Sequence, residues 1–245
     1  MSQQKLKIAL IGYGKMGQAI ETLAIAKGHE IVLKITIDNA ADLTATNLQQ
    51  CDVAIEFTNP ESAVANIKTC IDAGLPVVCG STGWVASEEA VKAYCTNKQG
   101  SLLYASNFSI GVNIFFEINK KLAALMAKQH QYQVSIEEVH HTHKKDAPSG
   151  TAISLAQQII ANRTDKHSWT LNETPQPNEI AMVAKRIDPA PGTHFVKYQS
   201  SIDDIEIIHT AHSRQGFATG ALTAAEFVYN KKGIFTMADV LKDLI

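Results

Sequence analysis

The chain has 245 residues, of which 45% are hydrophobic and 19% are charged, and its formal net charge is −2. This length allows one large domain or two modest ones, with enough volume for a hydrophobic core. The ordinary composition argues against intrinsic disorder. The near-neutral charge supplies no global positive field that would attract nucleic acid.

The N-terminus and the cysteines indicate a reducing compartment. Residues 1–10, MSQQKLKIAL, lack the apolar stretch of a signal peptide, and no apolar segment is long enough to span a bilayer. The cysteines form no CxxC pair, and Cys51, Cys70 and Cys79 lie in or beside apolar runs. Such thiols are typical of a reducing interior. We therefore expect a cytoplasmic protein without a membrane partner.

The first part of the chain alternates between strand-like and helical patterns. Short apolar runs predict strands at 7–11, 30–37, 52–57, 76–79 and 102–105, and helical spacing predicts a helix at 16–26. Helical stretches separate most of the other strands. This alternation predicts a parallel sheet with helices on its faces.

The pattern changes in the second part of the chain. We predict helices at 113–129, within 146–161, and at 219–229 and 236–244, and strands at 132–139, 179–187, 194–200 and 204–210. The polar segment 162–178 is predicted to be an exposed loop. The expected class is α/β, with an N-terminal Rossmann dinucleotide-binding domain at 1–107 and a second α+β domain with a mixed sheet at 108–215. A C-terminal segment, 216–245, follows.

A glycine motif supports the dinucleotide-binding prediction. GYGKMG, at 12–17, follows the first predicted strand and opens the first predicted helix. In this GxGxxG context the glycines allow a tight turn, close approach of pyrophosphate and close helix packing. The alternative is a glycine-rich turn without a ligand. The predicted cofactor contacts are Gly12, Tyr13, Gly14, Lys15, Met16 and Gly17.

An acid and two later loops extend this prediction. Asp38 ends the second predicted strand, where an acid binds the adenosine ribose, although an ordinary strand-ending Asp is the alternative. No arginine follows it to pair with a 2′-phosphate, so the sequence favours NADH without excluding NADPH. Two later loops also follow predicted strands, where loops of a parallel sheet line the crevice that binds the cofactor. The alternative is that each of these loops is a plain turn. Their predicted contacts are Gly80, Ser81, Thr82, Ser106, Asn107 and Phe108.

The densest polar cluster is EVHHTHKKDAPSGTA, at 138–152. His140 and His141 end a predicted strand and can exchange protons near neutral pH. Their side chains should face opposite ways, so we expect them to have different roles. Ser149 is a candidate N-cap, which would present the backbone N–H groups of Gly150 and Thr151 to an anion.

Lys144 adds a mobile positive charge to this cluster, so we expect the bound anion to be a carboxylate. Three alternatives remain open: a zinc site of His140, His141 and His143, a solvated basic loop, and a phosphate site at the Ser-Gly-Thr turn. The histidine spacing fits no usual structural zinc pattern, so we predict no metal.

The same segment resembles the signature of the 4-hydroxy-tetrahydrodipicolinate reductase (dihydrodipicolinate reductase) family, E-x-H-H-x-x-K-x-D-x-P-S-G-T, at every fixed position. GYGKMG, GST, SNFS and the stretch 205–227 are also similar to the family's cofactor loops and C-terminal segment. The region 39–51 looks short for the family. The region 186–194 has two prolines where a glycine-rich loop is more usual.

The resemblance implies an activity and a set of roles. The family reduces 4-hydroxy-2,3,4,5-tetrahydrodipicolinate to 2,3,4,5-tetrahydrodipicolinate with NADH or NADPH in lysine (diaminopimelate) biosynthesis. It implies that His140 is the acid/base residue, that Lys144 is a proton donor, and that His141, Gly150 and Thr151 bind a substrate carboxylate. It also implies a homotetramer assembled by the second domain, with the last segment returning to the Rossmann domain. The rival hypotheses are another small Rossmann reductase of an anionic carbonyl or imine, and a nucleotide-sensing regulator.

Overall fold

A computed structural model describes residues 4–172, 174–213 and 215–244. The chain forms two compact units. The first combines Met1–Ile110 with Gln215–Ile245, and the second is Gly111–Arg214. In chain order the elements are β1 (Lys7–Ile11), α1 (Lys15–Ala26), β2 (Glu30–Ile35), α2 (Ala45–Leu48), β3 (Val53–Glu56), α3 (Pro60–Asp72), β4 (Val77–Cys79), α4 (Glu88–Asn97), β5 (Ser101–Tyr104), α5 (Ile110–Met126), β6 (Gln133–His140), α6 (Gly150–Ile160), β7 (Ser168–Thr170), β8 (Glu179–Arg186), β9 (Gly192–Gln199), β10 (Asp204–Ala211), α7 (Gln215–Val228), β11 (Gly233–Phe235) and α8 (Met237–Asp243).

The first unit is built on a parallel six-stranded sheet in the order β11-β5-β4-β3-β1-β2. The five strands predicted in this part are present, and the predicted α/β class with a parallel Rossmann-like sheet is confirmed. β11 was not predicted. It has three residues and begins with a glycine, so its apolar run is only two residues long.

Both faces of this sheet are buried, as a parallel sheet with crossover helices requires. On one face, Leu10 and Ile55 pack with Ile20 of α1 and Leu222 of α7. On the other face, Ile11 and Ala54 pack in a cluster that includes Ile67 of α3 and Val91 of α4. All of these side chains are almost completely removed from solvent.

The second unit contains a mixed five-stranded sheet in the order β10-β9-β6-β8-β7. β6 and β9 pair antiparallel, as do β9 and β10, whereas β8 pairs parallel with β6 and β7. Alternate residues of β6 and β9 face inward, and Ile136 and Val196 pack with Leu155 and Ile159 of α6. The predicted mixed sheet is therefore confirmed.

Several element boundaries differ from the predictions, including those of β2, α5 and α7, and a further strand was missed. β2 ends at Ile35 because Asn39 Oδ1 accepts a hydrogen bond from the backbone N–H of Thr36 at 2.6 Å and closes a turn. The predicted loop 162–178 contains β7, a short strand whose Trp169 packs against the core of the second unit. Local polarity concealed this strand, because three residues held by tertiary pairing leave little pattern. Among the described residues, no helix has both the length and the apolar character needed to cross a membrane.

Candidate active site

The GYGKMG loop borders a groove in the first unit with a volume of about 690 Å³, lined by residues that include Tyr13, Thr36 and Phe57. Gly12 has φ +94°, and a Cβ on it would lie 2.0 Å from Phe57 O. A Cβ on Gly17 would lie 2.4 Å from Gly12 O, whereas one on Gly14 would meet nothing within 4 Å.

The first and third glycines therefore allow tight packing, and the second leaves open space at the start of α1. Lys15 and Met16 form the first turn of that helix. This cradle fits a dinucleotide, because backbone N–H groups at a helix start can approach its phosphates.

The sequence predicted that Asp38 ends the second strand, but this strand ends at Ile35. Asp38 lies beyond β2 in the turn that Asn39 closes, and its side chain is exposed. Its backbone N–H donates to Thr36 Oγ1 at 3.2 Å. The groove is lined by Thr36, Ile37 and Ala40 on this side, so Asp38 lies at its margin rather than in its wall.

A fully buried carboxylate, Glu56, ties together the loops that follow β3 and β4. Glu56 Oε1 accepts hydrogen bonds from the backbone N–H of Thr58 at 3.1 Å and from Ser81 Oγ at 3.1 Å. The Cys79 thiol donates to Glu56 Oε2 at 3.0 Å, and burial raises the pKa of that thiol. Ser81, a predicted cofactor contact, is thus buried and joins its loop to Glu56. Gly80 accommodates the ring of Phe57, because a Cβ there would lie 2.1 Å from it, and Thr82 is exposed.

The loop after β5 places its three predicted contacts in different surroundings. Ser106 is exposed, and Asn107 Oδ1 accepts from the backbone N–H of Ser109 at 2.9 Å. The side chain of Phe108 is buried in the core, with its ring centroid 5.7 Å from that of Phe57. Its carbonyl lies against α7, where a Cβ on Gly220 would fall 1.7 Å from Phe108 O. Phe108 is therefore primarily a packing residue of this loop.

In the second unit, Glu138 and His140 lie on the inner face of β6. The Glu138 carboxylate is fully buried and accepts hydrogen bonds from Arg186 Nη2 and from the backbone N–H of Ser149, each at 3.0 Å. His140 Nδ1 lies 3.6 Å from Glu138 Oε2. Burial lowers the pKa of His140, and the negative charge of Glu138 opposes that effect.

Ser149 caps α6, as predicted from the sequence. Its Oγ accepts a hydrogen bond from the backbone N–H of Ala152 at 3.2 Å, and it is hydrogen-bonded to His194 Nε2 at 3.1 Å. Gly150 and Thr151 form the first positions of the helix. A Cβ on Gly150 would meet nothing within 4 Å, so a ligand can approach the backbone there.

Lys144 is ion-paired within its own loop. Its Nζ lies 2.8 Å from both carboxylate oxygens of Asp146. Arg186 Nη2 also donates to Asp146 O at 2.6 Å, so the lysine loop is attached to the residues around Glu138.

His141 has different surroundings from His140, because β6 ends at His140. His141 borders a cavity of about 320 Å³ whose wall includes Asp188, Pro189 and Pro191. Asp188 accepts hydrogen bonds from the backbone N–H and the hydroxyl of Thr142. The proline-containing loop between β8 and β9 is thus joined to the histidine loop.

Three buried residues, Glu138, His140 and His194, place potential ligand atoms within 4.8 Å of one another. This grouping differs from the zinc alternative considered above, which joined His140 to His141 and His143. The Glu138 oxygens are already engaged by Arg186 and Ser149. A guanidinium cation at that position disfavours a second cation.

Sequence reasoning did not assign roles to Glu56, Glu138, Arg186 or His194. The alternation of inward and outward side chains along a strand could have identified two of them. Glu138 lies on the inward face of β6 with Ile136, and His194 lies on the inward face of β9 with Val196. Glu56 is a charged residue at the end of an otherwise apolar run. Arg186 carries no comparable signal.

The chain matches two models of one family along most of its length. Residues 6–108 match the dihydrodipicolinate reductase N-terminus, and residues 111–241 match the dihydrodipicolinate reductase C-terminus. The chain belongs to the dihydrodipicolinate reductase family. Its activity is the reduction that this family performs in lysine (diaminopimelate) biosynthesis, with a nicotinamide cofactor on the Rossmann domain.

Individual dihydrodipicolinate reductases show the extent of the similarity. The 4-hydroxy-tetrahydrodipicolinate reductase of Christiangramia forsetii is 50% identical over 98% of this chain and 99% of its own length. The enzyme of Methanosarcina barkeri is 36% identical over 85% of this chain and 80% of its own length. The fold is similar to that of dipicolinate-bound dihydrodipicolinate reductase from Paenisporosarcina sp. TG-14, with a TM-score of 0.73, 20% identity, and coverage of 95% of this chain and 98% of that one.

Proposed function

We propose that this chain reduces 4-hydroxy-2,3,4,5-tetrahydrodipicolinate, or its dehydrated form, to 2,3,4,5-tetrahydrodipicolinate. The observation that carries this assignment is the buried His140 beside a capped, sterically open helix start, with Lys144 in the intervening loop. Water is lost from C4 and C5 of the substrate, which leaves a C4=C5 double bond conjugated with the C6=N1 imine; C4 then receives a hydride and C5 receives a proton. When bound, NADH or NADPH supplies the hydride.

The start of α6 is suited to a substrate carboxylate. The backbone N–H groups of Gly150 and Thr151 belong to the first turn, where the helix dipole favours an anion. Lys144 supplies a charge-assisted hydrogen bond after exchanging the Asp146 carboxylate for that of the substrate. His141 contributes from the loop that follows β6. A carboxylate held in this way aligns the ring and reduces the entropic cost of the reaction.

His140 and Lys144 are the residues that we propose transfer the proton. Burial keeps the pKa of His140 below its usual value, so the unliganded imidazole is mainly neutral at pH 7. A dianionic substrate beside it favours the imidazolium, and binding therefore promotes proton uptake by His140. We assign His140 as the acid/base residue and Lys144 as a proton donor that also contacts the substrate.

Turnover of the named substrate tests this function directly. We expect wild-type protein to oxidise NADH in the presence of 4-hydroxy-2,3,4,5-tetrahydrodipicolinate. His140→Gln should lower kcat by roughly 10² to 10⁴ and leave NADH affinity unchanged. His167→Gln, at an exposed position of the same unit, is the matched control. NADH binding without turnover of this substrate would instead favour a nucleotide sensor or a reductase of a different anionic carbonyl or imine.

We infer a preference for NADH from the charges around the cofactor groove. Glu61 is the only charged residue among the described residues that line it, and Lys34, which lies near Tyr13, is paired with Glu21 at 2.8 Å. A 2′-phosphate would therefore meet negative charge, including that of Asp38 at the margin. We expect kcat/KM for NADH to equal or exceed that for NADPH in parallel assays. A strong preference for NADPH would contradict the role proposed for Asp38.

We further propose a cytoplasmic homotetramer. The outer face of the second unit's sheet exposes Val183 and Ile208, which are 43% and 52% accessible. Apolar side chains exposed on a sheet favour association with another surface, and other copies of the chain provide one. The free cysteines support a reducing compartment.

A further inference from the structure

Two buried residues without a predicted role, Glu138 and His194, lie between the His140 imidazole and the start of α6. We propose that Glu138 and His194 are positioning residues, which hold His140 and the carboxylate-binding end of α6 in one fixed arrangement. This inference rests on the proposed function, which assigns the roles of His140 and α6.

Glu138 touches both parts of the site through one oxygen. Its Oε2 accepts a hydrogen bond from the backbone N–H of Ser149 at 3.0 Å and lies 3.6 Å from His140 Nδ1. The carboxylate is completely buried, so its interactions are weakly screened by solvent. A displacement of the α6 cap would therefore change the charge that His140 experiences.

His194 fixes the same cap from the neighbouring strand. Glu138 and His194 are register partners in the pairing of β6 with β9. His194 Nε2 is 3.1 Å from Ser149 Oγ and 3.7 Å from Glu138 Oε2. Its ring packs edge-on against that of His140, with centroids 5.1 Å apart and an interplanar angle of 74°. His194 thus contacts the cap and the proposed acid at once.

Arg186 extends this arrangement to the lysine loop. It donates to Glu138 Oε1 at 3.0 Å and to Asp146 O at 2.6 Å, while the Asp146 carboxylate pairs with Lys144. The start of α6, the lysine loop and His140 are therefore all connected to one buried carboxylate. Among the described residues, His140 Nδ1 and His194 Nδ1 have no hydrogen-bond partner. Glu138 therefore holds the α6 cap and Arg186 by hydrogen bonds and acts on His140 through its charge.

The electrostatic consequence is specific to Glu138. The charged groups that influence His140 are Glu138 on its own strand, Lys144 and Asp146 in the loop, and Arg186 on β8, with His194 packed against it from β9. The charge of Glu138 raises the pKa of His140 against the effect of burial. Removing that charge should lower this pKa further, which a purely structural role would not require.

The first test uses Glu138→Gln, which keeps the size of the side chain and removes its charge. We expect kcat to fall at least tenfold, and the His140-dependent limb of the kcat/KM profile to move to lower pH by half a unit or more. Glu138→Asp keeps the charge but retracts it, so the same limb should move less in the same direction. If the Gln variant does not fold, the Asp variant still tests the direction.

The second test concerns His194 and uses pyridine-2,6-dicarboxylate as the probe. His194→Phe removes the hydrogen bond to Ser149 and keeps a ring, so calorimetry should show at least a fivefold weaker Kd for the probe. His194→Gln, whose amide reaches the position of Nε2, should restore much of that affinity. NADH affinity should stay within twofold in both variants, and His167→Gln should match the wild type throughout.

The outcomes separate this inference from the proposed function. Absence of wild-type turnover contradicts the function itself. With wild-type turnover present, an unmoved pH limb in both Glu138 variants excludes Glu138 as a positioning residue. An unchanged probe Kd in His194→Phe, or no recovery in His194→Gln, excludes His194.

Discussion

At the scale of single residues, Gly192 limits where the His140 ring can lie. A Cβ on Gly192 would be 3.0 Å from Nε2 and 3.2 Å from Cδ2 of His140. A methyl group would therefore push the imidazole away from its present position. We expect Gly192→Ala to lower kcat by up to roughly tenfold, because the ring must shift by a few tenths of an ångström, Gly192 has φ +155°, and a misplacement of about 1 Å can cost about 10²-fold. Steady-state kinetics measure this change, and fluorescence titration should show unaltered NADH affinity. A wild-type kcat would mean that the ring position is not critical.

The titration of His194 should appear in the stability of the protein. Burial, with a further contribution from nearby His140, lowers the pKa of His194 to about 4, whereas an unfolded histidine has its pKa near 6.5. The opposing charge of Glu138 and the smaller effects of His209 and Lys144 are included in that value. Between these pH values the unfolded chain binds the extra proton. The free energy of unfolding therefore falls as pH decreases from about 6.5 toward 4, and His194 has no such effect above that window.

The expected loss from His194 is about 2 kcal/mol between pH 7 and pH 5. Urea unfolding of wild type and His194→Gln at both pH values measures it. His140 and His209 also have lowered pKa values and remain in both proteins, so the difference between the two slopes reports His194 together with its interaction with His140. Equal slopes would contradict a buried, neutral His194.

At the scale of elements, the start of α6 should bind the dicarboxylate independently of the cofactor. Gly150→Val would fill the open space beside the first backbone N–H groups, and Lys144→Ala would remove the positive charge of the loop. We expect both changes to weaken binding of pyridine-2,6-dicarboxylate. Loss of one charge-assisted hydrogen bond corresponds to about 1.5 to 3 kcal/mol. Calorimetric titration of this compound into the wild type and both variants measures the change. Equal affinity in all three proteins would show that the carboxylate binds at a different site.

The accuracy of the sequence predictions also varies by element. The parallel sheet, the glycine loop and the Ser149 cap follow from local patterns of apolar spacing and capping, and they were predicted. β7 and β11 were missed because each has only three residues and little apolar pattern of its own; β11 pairs with β5, which is distant in sequence, and β7 pairs with β8, the next strand along the chain. The Asp146 partner of Lys144 and the burial of Ser81 depend on side-chain packing, which no periodicity encodes. His194 lies far along the chain from His140, so only the strand pairing reveals their contact.

At the scale of the whole molecule, the exposed apolar side chains on the second unit's sheet should determine the assembly state. We expect a tetramer by light scattering at micromolar concentration. Ile208→Lys would place a charge on that face and should shift the population toward smaller species. His167→Gln, at an exposed polar position, should leave the mass unchanged. A stable wild-type monomer of 26.6 kDa would refute the assembly proposal.

The first unit is made from both ends of the chain, and this has a consequence for its synthesis. α7 covers the sheet face that contains Leu10 and Ile55, yet it is translated after the entire second unit. A nascent chain that has completed β5 therefore exposes an apolar sheet surface while more than a hundred further residues are added. During that interval a ribosome-bound intermediate is vulnerable to aggregation, and chaperones that shield apolar surfaces would have their main opportunity to act. The cofactor-binding half begins translation first and becomes complete last.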